Sequence, residues 1–147
     1  MKIMIINGPN LNMLGIREPE IYGKATLKDL ENLIIDHCKG NDIEPFFIQS
    51  NHEGQLVDAI QDAYFKGFQG IVINPAAYTH TSIALLDALK SVDIPAVEVH
   101  LSKVEEREDF RQISYVSKVA ITTITGKHFQ GYLEAIDILK SHIEYCL

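Results

Sequence analysis

The feature that most constrains this chain is a fivefold alternation of short apolar runs with longer helical patterns. Residues 2–7 (KIMIIN), 45–50 (PFFIQS), 70–74 (GIVIN), 95–100 (PAVEVH) and 119–125 (VAITTIT) are near-continuous apolar stretches with β-branched residues. That is the pattern of strands covered on both faces. Between them apolar residues recur three and four apart, as one face of a helix requires. Leu27, Leu30, Leu33 and Ile34 form the first stripe, entered by Thr26 with Asp29 three residues on, a capping signal. Leu56, Ile60 and Tyr64 form the second, ending near Gly67. Ile83, Leu86, Leu89 and Lys90 mark a third, and Tyr132, Leu133, Ile136 and Leu139 a last. Residues 105–112 read as a shorter, charged helix.

Parallel neighbours need crossover connections, so this alternation predicts an α/β chain: a parallel sheet with helices on both faces. Right-handed crossovers leave few topologies, and a five-stranded flavodoxin-like order, 2-1-3-4-5, fits best. With 147 residues and no repeat, low-complexity tract or linker, one domain over 1–147 is expected. Hydrophobic residues at 46% and charged residues at 22% exclude disorder. A formal net charge of −7 argues against a nucleic acid or an anionic membrane surface as partner. Cys38 and Cys146 make neither a disulfide framework nor a metal-binding pattern, which fits a reducing compartment. The apolar run at residues 3–6 is too short for a signal-peptide core or a membrane span, so a cytoplasmic protein is expected.

In such sheets ligands sit beyond the carboxyl ends of the strands. There this chain is polar: Asn7-Gly8-Pro9-Asn10, Ser50-Asn51-His52-Glu53, Asn74-Pro75 and His100-Leu101-Ser102. Residues 8–24 make a connection longer than the roughly two to six residues of an ordinary βα loop, and read as a lid. No G-x-G-x-x-G follows the first run, and residues 126–131 lack the Lys-Ser/Thr of a P-loop. H-E-x-x-H and G-x-S-x-G are missing too, and the six His lack metal-ligand spacing. Asn7 is not the acidic residue that a phospho-receiver wants at the end of its first strand.

The long loop carries one of only three Arg in the chain, Arg17, five residues before Tyr22. A guanidinium beside a phenol favours phenolate, a strong base for a proton next to a carbonyl. The plain alternative pairs Arg17 with Glu18 or Glu20 on the surface and packs Tyr22 under the loop. His100 ends a strand, and Glu98 two residues earlier points to the same face. A carboxylate on one ring nitrogen would fix the tautomer and leave the other nitrogen to act as an acid. A structural histidine is the alternative. Leu101 and Ser102 offer backbone N–H groups where a carboxylate can be held. Arg111 either projects toward the same edge or pairs with Glu108.

Residues 10–23 (NLNMLGIREPEIYG), 49–54 (QSNHEG), 73–80 (INPAAYTH), 98–102 (EVHLS) and 110–114 (FRQIS) together resemble the type II 3-dehydroquinate dehydratases. The motifs occur in that family's order and spacing, over essentially the whole chain. The resemblance implies the flavodoxin-like fold and the third step of the shikimate pathway, elimination of water from 3-dehydroquinate to give 3-dehydroshikimate, without metal or organic cofactor. It implies that Tyr22 is the base, that Arg17 stabilises the phenolate and transition state, and that Asn12, with a water, supports the enolate oxygen. His100 is implied as the acid that protonates the departing hydroxyl. Asn74, His80, Leu101, Ser102 and Arg111 match substrate-binding positions, and Asp87 one that reaches in from a neighbouring subunit. A homo-oligomer follows, a dodecamer of trimers.

Two departures stand out. The family commonly has Asn where this chain has Lys103, and its usual Gly near residues 120–123 is replaced by Thr, at the Thr122-Thr123 pair. Neither falls on an implied catalytic residue; both bear on loop packing and subunit contacts. The competing reading, a flavodoxin-like module binding a flavin or nucleotide phosphate, wants a Ser/Thr/Gly-rich first loop to wrap phosphate. This loop carries Arg17, Pro19 and Tyr22 instead. A scaffold that had lost activity would show a damaged site, yet every motif position is filled.

Overall fold

Side chains alternate along a strand, and that alternation sorts the interior into two layers. The computed structural model describes residues 1–16 and 18–146, except the side chains of Ile21 and Tyr22. Its strands are β1 (Lys2–Asn7), β2 (Glu44–Gln49), β3 (Gly70–Asn74), β4 (Ala96–Val99) and β5 (Thr123–Ile124). They are all parallel, in the order β2-β1-β3-β4-β5, the flavodoxin-like α/β arrangement that the alternation predicts. A single turn, α1 (Pro19–Tyr22), lies in the first loop, followed by α2 (Leu27–Lys39), α3 (Glu53–Phe65), α4 (Ile83–Val92) and α5 (Gln130–Tyr145). Ile3, Ile5, Val72, Val97 and Val99 pack toward α2 and α5. Met4, Ile6, Ile71, Ile73 and Ala96 pack toward α3 and α4. Among the described residues no helix is long and apolar enough to cross a membrane.

A local signal explains the start of α2. Thr26 and Asp29 form the capping box: the Asp29 N–H donates to Thr26 Oγ1 at 3.2 Å, and the Thr26 N–H to Asp29 Oδ2 at 2.9 Å. Four expectations need correction. The charged stretch 105–112 is two 3-10 turns, Val104–Glu106 and Asp109–Arg111, because Arg107 and Glu108 are extended between them. The Gln112 side chain donates to the Arg107 and Glu108 carbonyls in place of helical N–H groups. β5 is shorter than residues 119–125, since Val119 and Ala120 give their N–H groups to Val116 at the end of a 3-10 turn. On α4 the buried face is Leu85, Ala88, Leu89 and Val92, while Ile83, at the first helical position, is exposed, as is Tyr64 near the end of α3.

The fourth concerns β2, which is an edge strand with Glu44 and Phe46 exposed rather than one covered on both faces. Lys2 sits over this edge, its Nζ 5.5 Å from the Phe46 ring and 4.7 Å from Phe68. A lysine there covers aromatic surface with its charge.

Gly8 sets how closely the ends of β1 and β3 approach. Its N–H donates to the Asn74 carbonyl at 2.8 Å, and a Cβ built on it would lie 2.5 Å from the Pro75 carbonyl oxygen. The obstacle is backbone, which cannot swing aside. Gly8→Ala is therefore expected to cost about 1–3 kcal/mol of stability, the range for overpacked interiors, measured by urea denaturation. An unchanged midpoint would show that the two strand ends are free to separate.

Candidate active site

The carboxyl ends of β1, β3 and β4 enclose a cavity of about 170 Å³. Pro9, Asn10 and Leu11 form its first wall, and Asn74, Ala76, Ala77 and His80 its second. His100, Leu101 and Ser102 follow β4, and Val104, Arg107 and Arg111 close the remaining side. Two wall residues other than glycine hold left-handed backbone, Asn10 at φ 70° and Ala76 at φ 52°. Such conformations persist only where their surroundings hold them. Asn10 is held by its N–H, which donates to Asn51 Oδ1 at 3.0 Å.

The most constrained group at the site is Glu98, which has no exposed surface. It follows β4's alternation onto the α3/α4 side, where an apolar residue belongs. Its carboxylate survives there because it is surrounded by donors. His100 Nε2 approaches Oε2 at 2.5 Å, and the Thr79 hydroxyl donates to the same oxygen at 2.6 Å. Ser114 Oγ lies 2.9 Å from both carboxylate oxygens, and Thr123 donates to Oε1 at 3.2 Å. Burial pushes this carboxyl up. The hydrogen bond and charge of His100, with Thr79 and Ser114, outweigh it and hold the group below its ordinary 4.5. A carboxylate only accepts, so Nε2 carries the proton and Nδ1 is the nitrogen left to exchange one in the cavity. The tautomer-fixing role expected for Glu98 is realised in this geometry.

The other expected residues are placed unevenly. His80 donates from Nδ1 to the Ile113 carbonyl at 2.7 Å, so its Nε2, when neutral, can accept from a ligand hydroxyl. Arg111 meets both of its readings: Nε–H donates to Glu108 at 2.5 Å while the side chain lines the cavity. The hydrogen bond from Arg111 holds the Glu108 carboxyl below its ordinary value. The Leu101 carbonyl accepts from His128 N–H, and the Ser102 carbonyl from Val104 and Gly126 N–H. The polar groups these two residues can still offer a ligand are their N–H groups and the Ser102 hydroxyl. Asn12 is exposed, off the cavity wall, and its Oδ1 accepts from Gln49 Nε2 at 3.4 Å. Asp87 is exposed on α4 and also lies off the wall. Arg17 and the Tyr22 side chain lie outside the described residues.

Sequence reasoning missed Arg107, whose spacing of four from Arg111 was the available signal. It also missed the hydroxyls of Thr79, Ser114 and Thr123, which only a buried partner makes meaningful. Thr123, one of the Thr122-Thr123 pair that departs from the family pattern, donates to the Glu98 carboxylate behind His100. Lys103, the other departure, packs its stem on Gly126, which holds φ 73° there, and places its ammonium 3.7 Å from Glu106. Among the described residues no group of three His, Cys, Asp or Glu could hold a metal ion.

Ionised Glu98 contributes its full stability above the ordinary carboxylate value near 4.5, and loses it as pH falls through the lower folded value. Glu98→Gln is expected to lower stability at neutral pH and to flatten the decline below about pH 5, followed by denaturation at several pH values. An equally steep acid limb in the variant would mean that Glu98 is already protonated in the folded protein.

Comparison with known proteins agrees with this fold. The family model described as "Dehydroquinase class II" matches residues 1–140. The 3-dehydroquinate dehydratase of Clostridium perfringens (strain SM101 / Type A) is 51% identical over 144 residues, covering 98% of this chain and 99% of the relative. The crystal structure of a type II dehydroquinase from Butyrivibrio crossotus DSM 2876 superposes with a TM-score of 0.93 at 55% identity, covering 95% of this chain and 97% of that one. A type II dehydroquinase from Propionibacterium acnes gives 0.90 at 38% identity, with 95% and 96% covered. Extending over nearly the full length of each relative, the chain belongs to the class II dehydroquinase family.

Proposed function

We propose that this enzyme converts 3-dehydroquinate to 3-dehydroshikimate through an enolate, with Tyr22 as base and His100 as acid. The observation that carries the reading is the buried Glu98–His100 pair, which turns one imidazole nitrogen toward a cavity walled by Arg107 and Arg111. Elimination beta to a ketone needs two proton transfers. Tyr22, as phenolate stabilised by Arg17, takes the proton alpha to the ketone and leaves an enolate. Asn12, through a water, supports the enolate oxygen. The enolate then collapses and expels the hydroxyl, and His100 gives that oxygen its proton, so that water leaves rather than hydroxide. His80 and Arg111 hold the ring hydroxyls, while Asn74 and the N–H groups of Leu101 and Ser102 hold polar oxygens of the substrate.

The direct test is incubation with 3-dehydroquinate, followed by the ultraviolet absorbance of the conjugated enone. Tyr22→Phe keeps the ring and removes the base, so turnover is expected to fall by at least ~10²-fold with binding largely kept. Arg17→Lys is expected to be severe as well, because an ammonium does not reproduce a planar guanidinium. His100→Ala is expected to slow loss of water while sparing some exchange of the alpha proton with solvent. Near-normal turnover by Tyr22→Phe would rule out the phenolate route even if the reaction is confirmed.

Asp87 extends the proposal. It lies off its own cavity wall, yet matches a binding position that the family fills from a neighbouring subunit. A closed homo-oligomer, a dodecamer of trimers, completes the site by lending Asp87 across an interface. Sedimentation is expected to find a large assembly whose dissociation abolishes turnover. A fully active monomer would contradict it.

A further inference from the structure

Behind the cavity wall, α5 sends one side chain to the sheet's carboxyl edge. Tyr132 has no exposed surface, and burial pushes its phenol up against the hydrogen bond from Asn74. Its hydroxyl donates to Asn7 Oδ1 at 2.6 Å, at the end of β1. With its one hydrogen committed, the same oxygen can only accept, and it accepts from Asn74 Nδ2 at 2.9 Å, at the end of β3. On the other side of the amide, Asn74 Oδ1 accepts from the Ala76 N–H at 3.1 Å. Oxygen and nitrogen of the amide are each fixed by a separate anchor. The second Nδ2–H is left for the cavity whose wall Asn74 forms.

We propose that Tyr132 is a positioning residue for substrate binding: through the Asn7–Tyr132–Asn74 chain it holds the Asn74 amide with an N–H donor facing the ligand. The proposal rests on the reading that this cavity binds 3-dehydroquinate, and it adds what makes Asn74 a donor of fixed direction. Without the phenol hydroxyl only the Ala76 contact remains, and the amide can pivot about it. The ligand atom at Asn74 is correspondingly an acceptor, a carboxylate or hydroxyl oxygen. Because Asn74 grips substrate and transition state alike, its misplacement weakens binding rather than the chemical step.

Tyr132→Phe removes one oxygen and keeps the ring. Its KM for 3-dehydroquinate is expected to rise about tenfold while kcat stays within about twofold of the parent. In an Asn74→Ala background the same change is expected to leave KM where Asn74→Ala alone puts it, since Tyr132 acts through that amide. A merely structural tyrosine would add its effect in both backgrounds. The Asn74 side-chain amide, assigned by nitrogen-15 NMR from its loss in Asn74→Ala, is expected to move in Tyr132→Phe. An unchanged KM, an equal rise without Asn74, or an unmoved amide signal each overturns the proposal. If Tyr132→Phe does not fold, Asn7→Ala frees the phenol hydrogen from the other end. It is expected to raise KM severalfold in the Asn74 background only, and no rise overturns the proposal. A parent protein inactive on 3-dehydroquinate removes the functional reading by itself. The amide signal then decides the positioning claim.

Discussion

A carboxylate sealed from water costs several kcal/mol unless donors surround it, and in this chain that group is Glu98. In the sheet Glu98 stands beside Ile73 of β3 and Thr123 of β5. Whatever neutralises it is therefore drawn to the carboxyl half of the sheet. Thr79 comes from the turn after β3, Ser114 from the irregular segment after β4, Thr123 from β5, and His100 from the end of β4 itself. One buried charge thus pins the turn after β3 and the irregular segment after β4 to the sheet. The Tyr115 N–H, donating to the Thr79 carbonyl at 2.8 Å, joins those two segments directly. A neutral residue at this position would relieve the burial cost and release the segments that shape the cavity.

The same edge carries a second polar assembly. Asn7, Asn74 and Tyr132 are all buried, and their hydrogen bonds run from β1 through α5 to β3. Gly8 lets those two strand ends close to hydrogen-bonding distance. The Glu98–His100 pair is organised around β4, and the Asn7–Tyr132–Asn74 chain around β1 and β3. Parallel topology is what brings them together, because every strand delivers its carboxyl end to one edge.

The sheet was readable from sequence because its signal is redundant. The interiors of β1 and β3 are unbroken apolar runs, β4 is interrupted only at Glu98, and each long helix carries its own stripe. Elements whose form depends on distant partners were harder. Residues 105–112 have helical composition, but Arg111 and Gln112 spend their side chains on local bonds that replace a helix with two tight turns. The α4 stripe was misplaced because Ile83 is the first helical residue and faces outward, while small Ala88 fills the interior. At the site, His100 and Glu98 were visible through strand alternation alone. Thr79, Ser114 and Tyr132 were not, since a hydroxyl has no pattern until its buried partner is located. Motif resemblance supplied Asp87, which lies off the cavity wall.

Glu98 holds His100 by Nε2 and leaves Nδ1 to the cavity. Nitrogen-15 NMR of the imidazole in the resting enzyme, carried to a pH at which the ring is neutral, reads this directly. A proton on Nε2, a bare Nδ1, and loss of that preference in Glu98→Ala are expected. A neutral ring protonated on Nδ1, or a tautomer indifferent to the loss of Glu98, would contradict it.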